Sequence, residues 1–179
     1  HWDGLNYTLP MEGDPSLVLK FSMNNLSARG EWANSTGCLI VDESRYGNNG
    51  TCVGAPNISY TPNGKYGGAF NFSGGGGYIT IANSTSLSSV LNKGTYSFWL
   101  KLVNVNNSFQ VIDTSPNDAG TIQFKKGYSS GHYLRATLGG SNGISYYYLD
   151  NEFNNDTWYF ITVTWDNITN PNMTLYLNG

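Results

Sequence analysis

Residues 64–81 read GKYGGAFNFSGGGGYITI, and seven of these eighteen positions are glycine. Glycine at that density is typical of a linker, but Phe70 and Phe72 flank Asn71, and the run YITI also alternates. Alternation with a period of two predicts half-buried strands. We therefore expect a β-hairpin with the phenylalanines inward and Asn71 outward, joined through residues 74–77, where glycine permits positive φ.

Similar runs recur along the whole chain, separated by clusters of Gly, Asn, Pro and Ser. No segment of ten residues shows clean helical periodicity, although residues 85–92 are compatible with a short helical turn. Strands this many and this short predict an all-β fold of antiparallel sheets, a sandwich or jelly roll. The predicted strands are LVLKFSM (17–23), CLIV (38–41), AFNFSG (69–74), YITI (78–81), TYSFWLKL (95–102), FQVID (109–113), TIQFKK (121–126), HYLRATL (132–138), ISYYYLD (144–150), WYFITVTWD (158–166) and MTLYLNG (173–179).

Two of these runs carry aromatic side chains on both faces. In WYFITVTWD, Trp158 and Phe160 lie opposite the more apolar face, and in TYSFWLKL, Trp99 lies opposite Phe98. We therefore expect both strands to lie in the middle of their sheets. The predicted core face of WYFITVTWD carries Tyr159, Ile161, Val163 and Trp165.

The composition argues against two kinds of partner. Only 12% of the 179 residues are charged and the net charge is −3, so the chain has no basic field to hold nucleic acid. No apolar run approaches the roughly eighteen residues of a membrane-spanning helix. The first ten residues also lack the basic and apolar parts of a signal peptide. We expect no nucleic-acid partner and no membrane span in this chain.

Asparagine-x-serine/threonine triplets, the acceptors of N-linked glycans, occur eleven times. Chance would give roughly four for this content of asparagine, serine and threonine. The excess predicts a densely glycosylated extracellular or cell-surface protein; the alternative is an asparagine-rich β protein that leaves its triplets unused. The triplets begin at Asn6, Asn25, Asn34, Asn49, Asn57, Asn71, Asn83, Asn106, Asn155, Asn167 and Asn172.

The two cysteines agree with an extracellular location. Cys38 and Cys52 bracket the turn-rich segment LIVDESRYGNNGT, and we predict that they form one disulfide. Such a bridge would contribute about 3 kcal/mol, mainly by restricting the unfolded chain. The alternative is a pair of buried free thiols.

Three motifs carry a resemblance to a known family. They are an Asp before Ser-x-x-Gly-Asn-x-Gly (42–50), a Gly-x-Ala-x-x-Phe-x-Gly strand (67–74) and a Trp-x-x-apolar-x-Val-Thr-aromatic-Asp strand (158–166). In this order they resemble the laminin-G-like domains of the concanavalin A-like lectin/glucanase superfamily. The resemblance implies a jelly roll of two antiparallel sheets packed face to face over residues 17–179, after an N-terminal extension of residues 1–16.

The resemblance also implies a further strand and a closing segment after LYLNG. On that basis we expect the sandwich to lack its last strand within this chain, which leaves an edge that is prone to pairing. Two explanations stay open: the sequence is a fragment of a larger protein, or a neighbouring chain supplies the strand by β-augmentation.

The sequence predicts no enzyme, because glycosidases of this architecture need paired carboxylates and no strand carries alternating acidic residues. His1 and His132 are far apart, so no transition-metal site is expected and no cofactor is required. The resemblance allows a structural calcium ion, for which Asp42 and Asn48 are the best local pair. The alternative is that Asp42 caps its own turn.

Sugar rings present apolar faces that pack on aromatic side chains, so exposed aromatics beside polar groups are candidate binding residues. Tyr147, in GISYYYLD, and Trp32, in a loop-like segment, meet this description. Cross-strand packing is the alternative for Tyr147. We expect a non-catalytic extracellular recognition or adhesion module that binds carbohydrate or a protein partner. The alternative is a structural subunit of a cell-surface filament or layer, completed by strand exchange.

Overall fold

A computed structural model describes residues 14–90, 92–114, 121–126, 132–140, 143–151, 153–166 and 172–179. The fold is all-β, with antiparallel pairing in each sheet, as expected. The chain divides into two compact units, residues 1–88 and 89–179. No helix of the described ranges is long and apolar enough to cross a membrane.

The first unit contains two sheets. One has the strand order β1-β2-β3-β6, and the other pairs β4 with β5. A 3-10 turn at Ser27–Arg29 precedes them, and the short helix α1, Thr85–Ser89, follows in the region where a helical turn was predicted. The strands are β1 (Trp32–Asn34), β2 (Gly37–Ile40), β3 (Gly50–Val53), β4 (Ile58–Thr61), β5 (Ala69–Phe72) and β6 (Tyr78–Ile81).

The second unit also contains two sheets, with the orders β13-β12-β7 and β11-β10-β9-β8. Their buried side chains form one hydrophobic cluster, to which β12 and β10 contribute most. The strands are β7 (Lys93–Leu102), β8 (Phe109–Ile112), β9 (Thr121–Lys126), β10 (His132–Gly140), β11 (Gly143–Asn151), β12 (Thr157–Asp166) and β13 (Asn172–Leu177).

The hairpin predicted for residues 64–81 is wrong, although both of its strands exist. β5 pairs with β4 and β6 pairs with β3, so the glycine connection carries the chain from one sheet to the other. Ser73 N–H donates to the Asn57 carbonyl, and Asn57 Nδ2 donates to the Gly75 carbonyl. These bonds join the glycine segment to Asn57, the residue before β4, and so favour the pairing of β5 with β4. Phe72 is 48% exposed rather than inward.

The strand predicted over residues 17–23 is not formed either. The Lys20 N–H donates to the Asp42 side chain at 2.9 Å, and the Lys20 carbonyl accepts from Glu43 N–H at 2.8 Å. These backbone groups therefore serve the turn that follows β2 rather than a sheet ladder.

The core prediction for β12 is confirmed, because Tyr159, Ile161, Val163 and Trp165 are all at most 5% exposed. β12 lies in the middle of its sheet, as expected. The same expectation is wrong for β7, which lies at one side of that sheet. The face opposite the core, which carries Trp99 on β7 and Trp158 and Phe160 on β12, lies outside the hydrophobic cluster.

Candidate functional site

The turn between β2 and β3, residues 41–49, contains the predicted calcium pair. Asp42 is buried, and its carboxylate accepts four hydrogen bonds. Oδ1 accepts from the backbone N–H groups of Lys20 and Ser44, and Oδ2 accepts from the Ser44 hydroxyl and the Asn48 N–H. Their lengths lie between 2.6 and 2.9 Å. Asp42 therefore caps the turn.

The side-chain amide of Asn48 is likewise fully used in hydrogen bonds within the protein. Its Nδ2 donates to the Val18 carbonyl at 2.6 Å and to Ser86 Oγ at 3.0 Å, while its Oδ1 accepts from Ser84 Oγ at 2.7 Å. Calcium requires oxygen ligands with lone pairs directed at the ion. The residues of this turn do not fit that requirement, and within the described ranges no three His, Cys, Asp or Glu side chains form a metal-holding group.

The electrostatics of the turn agree with a structural role. Burial by itself would raise the pKa of the Asp42 carboxyl, but hydrogen bonds from Ser44, Lys20 and Asn48 outweigh it and lower that pKa. Burial would likewise raise the pKa of Glu43, but Lys20 and other partners lower it. Glu43 Oε2 lies 2.7 Å from Lys20 Nζ and Oε1 lies 3.3 Å from an Arg29 nitrogen. Both carboxylates are stabilised in their charged form.

The predicted disulfide is present. Cys38 on β2 and Cys52 on β3 are bonded, with Cα atoms 5.0 Å apart. Since Leu39 is opposite Thr51 in the same strand pair, the two cysteines face each other across the ladder. The bridge therefore closes the Asp42 turn at its base.

The glycosylation triplets share an accessible position. None of the nine described acceptor asparagines is buried: Asn25 and Asn57 are half-buried and the rest are exposed. At several of them the side-chain oxygen accepts a hydrogen bond, which leaves the nitrogen, the atom of glycan attachment, on the other branch. Asn6 and Asn167 lie outside the described residues. The exposed acceptors are Asn34, Asn49, Asn71, Asn83, Asn106, Asn155 and Asn172.

The two predicted ligand-binding aromatics lie in separate units. Trp32 begins β1, at the side of its sheet, and is 44% exposed. Its ring lies over Gly37, where an added Cβ would be 3.4 Å from Trp32 Cη2. Tyr147 lies on β11 opposite Ala136, and its side chain is outside the described set. Neither residue is placed beside a second exposed aromatic by the described contacts.

A larger aromatic surface occurs on the face of the β13-β12-β7 sheet that points away from the core, here called the outward face. The register aligns its residues in cross-strand rows. The strands at the two sides of the sheet contribute mostly exposed residues to this face, and β12 contributes half-buried ones. Its members are Lys93, Thr95, Ser97, Trp99, Lys101, Trp158, Phe160, Thr162, Thr164, Asp166, Asn172, Thr174 and Tyr176.

One end of the outward face is aromatic. Trp99 and Phe160 are direct cross-strand partners whose ring centroids are 5.1 Å apart. Trp158 is the next outward residue on β12, and Lys101 Nζ lies 5.5 Å from its ring centroid. Tyr176, diagonal to Phe160 on β13, is 45% exposed. We call Trp99, Trp158, Phe160 and Tyr176 the aromatic patch.

The other end of the outward face is polar and contains an open depression of about 330 Å³. A row of hydroxyls crosses it, because Thr164 is opposite both Thr95 and Thr174. Lys93 Nζ and Asp166 Oδ2 form an ion pair of 2.8 Å in the next row. We call this feature the polar depression.

Gly94 and Trp165 border the polar depression but belong to the core-facing side of the sheet, where the Trp165 side chain is 5% exposed. A Cβ added at Gly94 would lie 2.5 Å from the Trp165 ring, so only glycine fits opposite that indole. Trp165 Nε1 donates to the Val90 carbonyl at 3.2 Å. The hydrogen bond to Val90 and the packing against Gly94 hold the indole on the core side of the sheet.

Sequence reasoning missed the outward face as a candidate site although the signal was present. The alternation places Trp99 and Phe160 on the non-core faces of their strands, but it was used only to predict that both strands lie in the middle of their sheets. The pairing of the two strands, with β7 at the side of the sheet, is what brings the two rings together on one face.

The comparisons with known proteins agree with this architecture. A laminin G family model, described as concanavalin A-like lectin/glucanases superfamily, matches residues 73–179. The match covers more than half of the chain and includes all three strands of the outward face. No curated protein and no solved structure matches significantly. The chain belongs to the concanavalin A-like lectin/glucanases superfamily.

Proposed function

We propose that this chain is a non-catalytic, extracellular recognition module that binds carbohydrate through the aromatic patch. The observation that supports the proposal is the pairing of half-buried Trp99 with half-buried Phe160 on the sheet face that points away from the core, flanked by Trp158 and by the exposed Tyr176. Membership of a superfamily that includes lectins agrees with it, although a fold by itself does not specify a ligand.

The chemistry of the patch suits a sugar. A pyranose ring has an apolar C–H face that packs on an aromatic ring, while its hydroxyl groups require hydrogen-bond partners. Ser97 and Thr162 lie in the row next to Trp99 and Phe160 and offer hydroxyls that both donate and accept. Lys101 and the Tyr176 hydroxyl add polar groups at the margin. A sheet surface also holds these groups on rigid strands.

The charges on the outward face support binding rather than hydrolysis. Glycoside hydrolysis requires two carboxyl groups about 5 to 10 Å apart. Among the described residues of β7, β12 and β13, Asp166 is the one carboxylate on this face, and it is paired with Lys93. The aromatic patch therefore has no acid and base of its own on these strands.

The extracellular part of the proposal is supported by the disulfide and by the accessible acceptor asparagines. Disulfides persist in oxidising compartments, and N-linked glycans are added on the secretory route. The same features favour a cell-surface location.

A glycan array with matched variants tests the proposal. The chain, secreted from eukaryotic cells, is expected to bind a subset of glycans, and Trp99→Ala or Tyr176→Ala is expected to remove that binding. Tyr78→Ala is the matched control for Tyr176→Ala, because it removes an exposed tyrosine from a strand of the other unit. A flat array with folded protein, or equal loss in the Tyr78 variant, would overturn the proposal.

A structural subunit completed by strand exchange is the second candidate, and the position of β13 favours it. Among the described strands β13 pairs with β12 alone, so it lies at a side of its sheet where another strand could add. Light scattering and imaging of native material decide between the two. A dispersed monomer at high concentration would count against assembly.

A further inference from the structure

The polar depression lies beside a glycosylation triplet. Asn172 and Thr174 both line it, both are exposed, and they are the first and third residues of the triplet Asn-Met-Thr. Since they are two positions apart on β13, their side chains point to the same side of the strand. A glycan joined to the Asn172 side-chain nitrogen would therefore begin at the depression itself.

We propose that the polar depression is the seat of the first sugar of an N-linked glycan on Asn172. The hydroxyls of Thr95, Thr164 and Thr174 form one row across three strands, which spans roughly 10 Å. Each threonine hydroxyl both donates and accepts, as do the hydroxyl and acetamide groups of N-acetylglucosamine. The row therefore matches the polar edge of one sugar residue.

The charges of the depression select a neutral occupant. Lys93 and Asp166 form an ion pair of 2.8 Å in the row that contains Asn172, so neither charge is left to attract a free anion or cation. The outward-facing lining is otherwise made of uncharged hydroxyl and amide groups, those of Thr95, Thr164, Thr174 and Asn172. A neutral sugar therefore fits this lining better than a phosphate or a metal ion does.

Covalent attachment explains how so shallow a site holds a sugar. A tethered group has an effective concentration in the millimolar range or above, so contacts too weak to capture a free sugar are sufficient. The nearest member of the aromatic patch, Tyr176, is four residues along β13 from Asn172, roughly 13 Å away, so one sugar seated in the depression leaves Trp99 and Trp158 uncovered. This inference rests on the secretion stated in the proposed function, but not on the ligand of the patch.

The rate of enzymatic deglycosylation tests the proposal. Chain secreted from eukaryotic cells is treated with a peptide N-glycosidase in native and in denatured form, and release is followed at each asparagine by mass spectrometry. We expect Asn172 to be occupied and its glycan to be released on the order of tenfold more slowly from the native protein than from the denatured one. Asn71, exposed on β5 and outside the depression, is the reference for an unprotected glycan.

A pair of threonine variants separates seating from general protection by the fold. Thr164→Val removes a hydroxyl from the depression while it keeps the side-chain shape and the triplet, and it is expected to speed native release at Asn172. Thr162→Val, on the same strand face but outside the depression, is the matched control. An unoccupied Asn172, equal native and denatured rates, or equal effects of the two variants would overturn the inference. A protected Asn172 glycan together with a flat glycan array would overturn the carbohydrate-binding proposal alone.

Discussion

The Asp42 turn and the outward face use their conspicuous residues in opposite ways. Every carboxylate oxygen of Asp42 and the side-chain amide of Asn48 are consumed by hydrogen bonds within the protein. On the outward face, aromatic rings that lie outside the core cluster group together, three of them half-buried and Tyr176 exposed. A polar residue in a motif can thus be purely structural, while aromatics on the second face of a strand are the better candidates for recognition.

Burial is the physical cause of this difference. A buried carboxylate is stable only when its oxygens accept hydrogen bonds, so a buried Asp in a turn is already satisfied and cannot also bind a ligand at low cost. An aromatic ring outside the core has no such requirement, and an exposed one such as Tyr176 can contact a partner. We therefore expect substitutions in the Asp42 turn to change the free energy of unfolding more than substitutions in the aromatic patch.

Removal of the disulfide is expected to have the largest effect. Replacement of both Cys38 and Cys52 by Ser should lower the free energy of unfolding by about 3 kcal/mol, because the closed loop no longer restricts the unfolded chain. Denaturant unfolding of the variant and the native chain measures this. A variant that still folds should bind its ligand unchanged, because the bridge lies in the first unit and the aromatic patch lies in the second.

Asp42→Ala is expected to lower the free energy of unfolding by about 2 kcal/mol, because the Ser44 hydroxyl and the Asn48 N–H would lose their acceptor. Asp113→Ala, at an exposed position, is the matched control and should change stability by less than about 0.5 kcal/mol. Neither change creates a new glycosylation triplet. Thermal unfolding with and without a chelator completes the test. A chelator-dependent melting temperature in the native chain, lost in the Asp42 variant, would show that Asp42 binds calcium after all.

Acid should destabilise the protein through the same turn, because Asp42 and Glu43 become protonated. The pKa values of Asp42 and Glu43 are lowered in the folded protein, so their contribution is fully present above the unfolded pKa values near 4 and is lost as the pH falls through the folded ones. The free energy of unfolding should therefore be flat above about pH 5 and decrease below about pH 4. Denaturant titrations at several pH values check this, and Asp42→Ala should make the decrease shallower.

The aromatic patch should show the smallest change in stability and the largest change in binding. Tyr176→Ala is expected to lower the free energy of unfolding by at most about 1 kcal/mol, because this side chain is 45% exposed and lies on β13, at the side of the sheet. The affinity of the variant for a bound glycan should decrease by at least about tenfold, which corresponds to about 1.4 kcal/mol. Denaturant unfolding measures the stability change, and calorimetry with a ligand identified on the array measures the affinity. A stability loss above that of Asp42→Ala would mean that Tyr176 is structural and would remove the contrast.

Strand positions were largely readable from the sequence where a strand is long. β7 and β12 have ten residues each, and their alternation predicted both the strands and the buried face of β12. Four-residue strands were also found where they are mostly apolar or aromatic, as in CLIV, AFNF and YITI. β1, β3 and β4 were missed because their three or four residues include Asn, Gly, Ser or Thr and lie among turn-forming ones, so a loop is predicted equally well.

The sequence by itself determined the all-β class, the superfamily, the disulfide and the core face of β12. These follow from side-chain period and from residue identities, which are local properties of the chain. Only the tertiary structure decided that β5 and β6 belong to different sheets, that Asp42 is saturated with donors, and that Trp99 and Phe160 meet on one face of their sheet. Those outcomes depend on which strands pair, and pairing is set by contacts between residues far apart in sequence, which no local pattern contains.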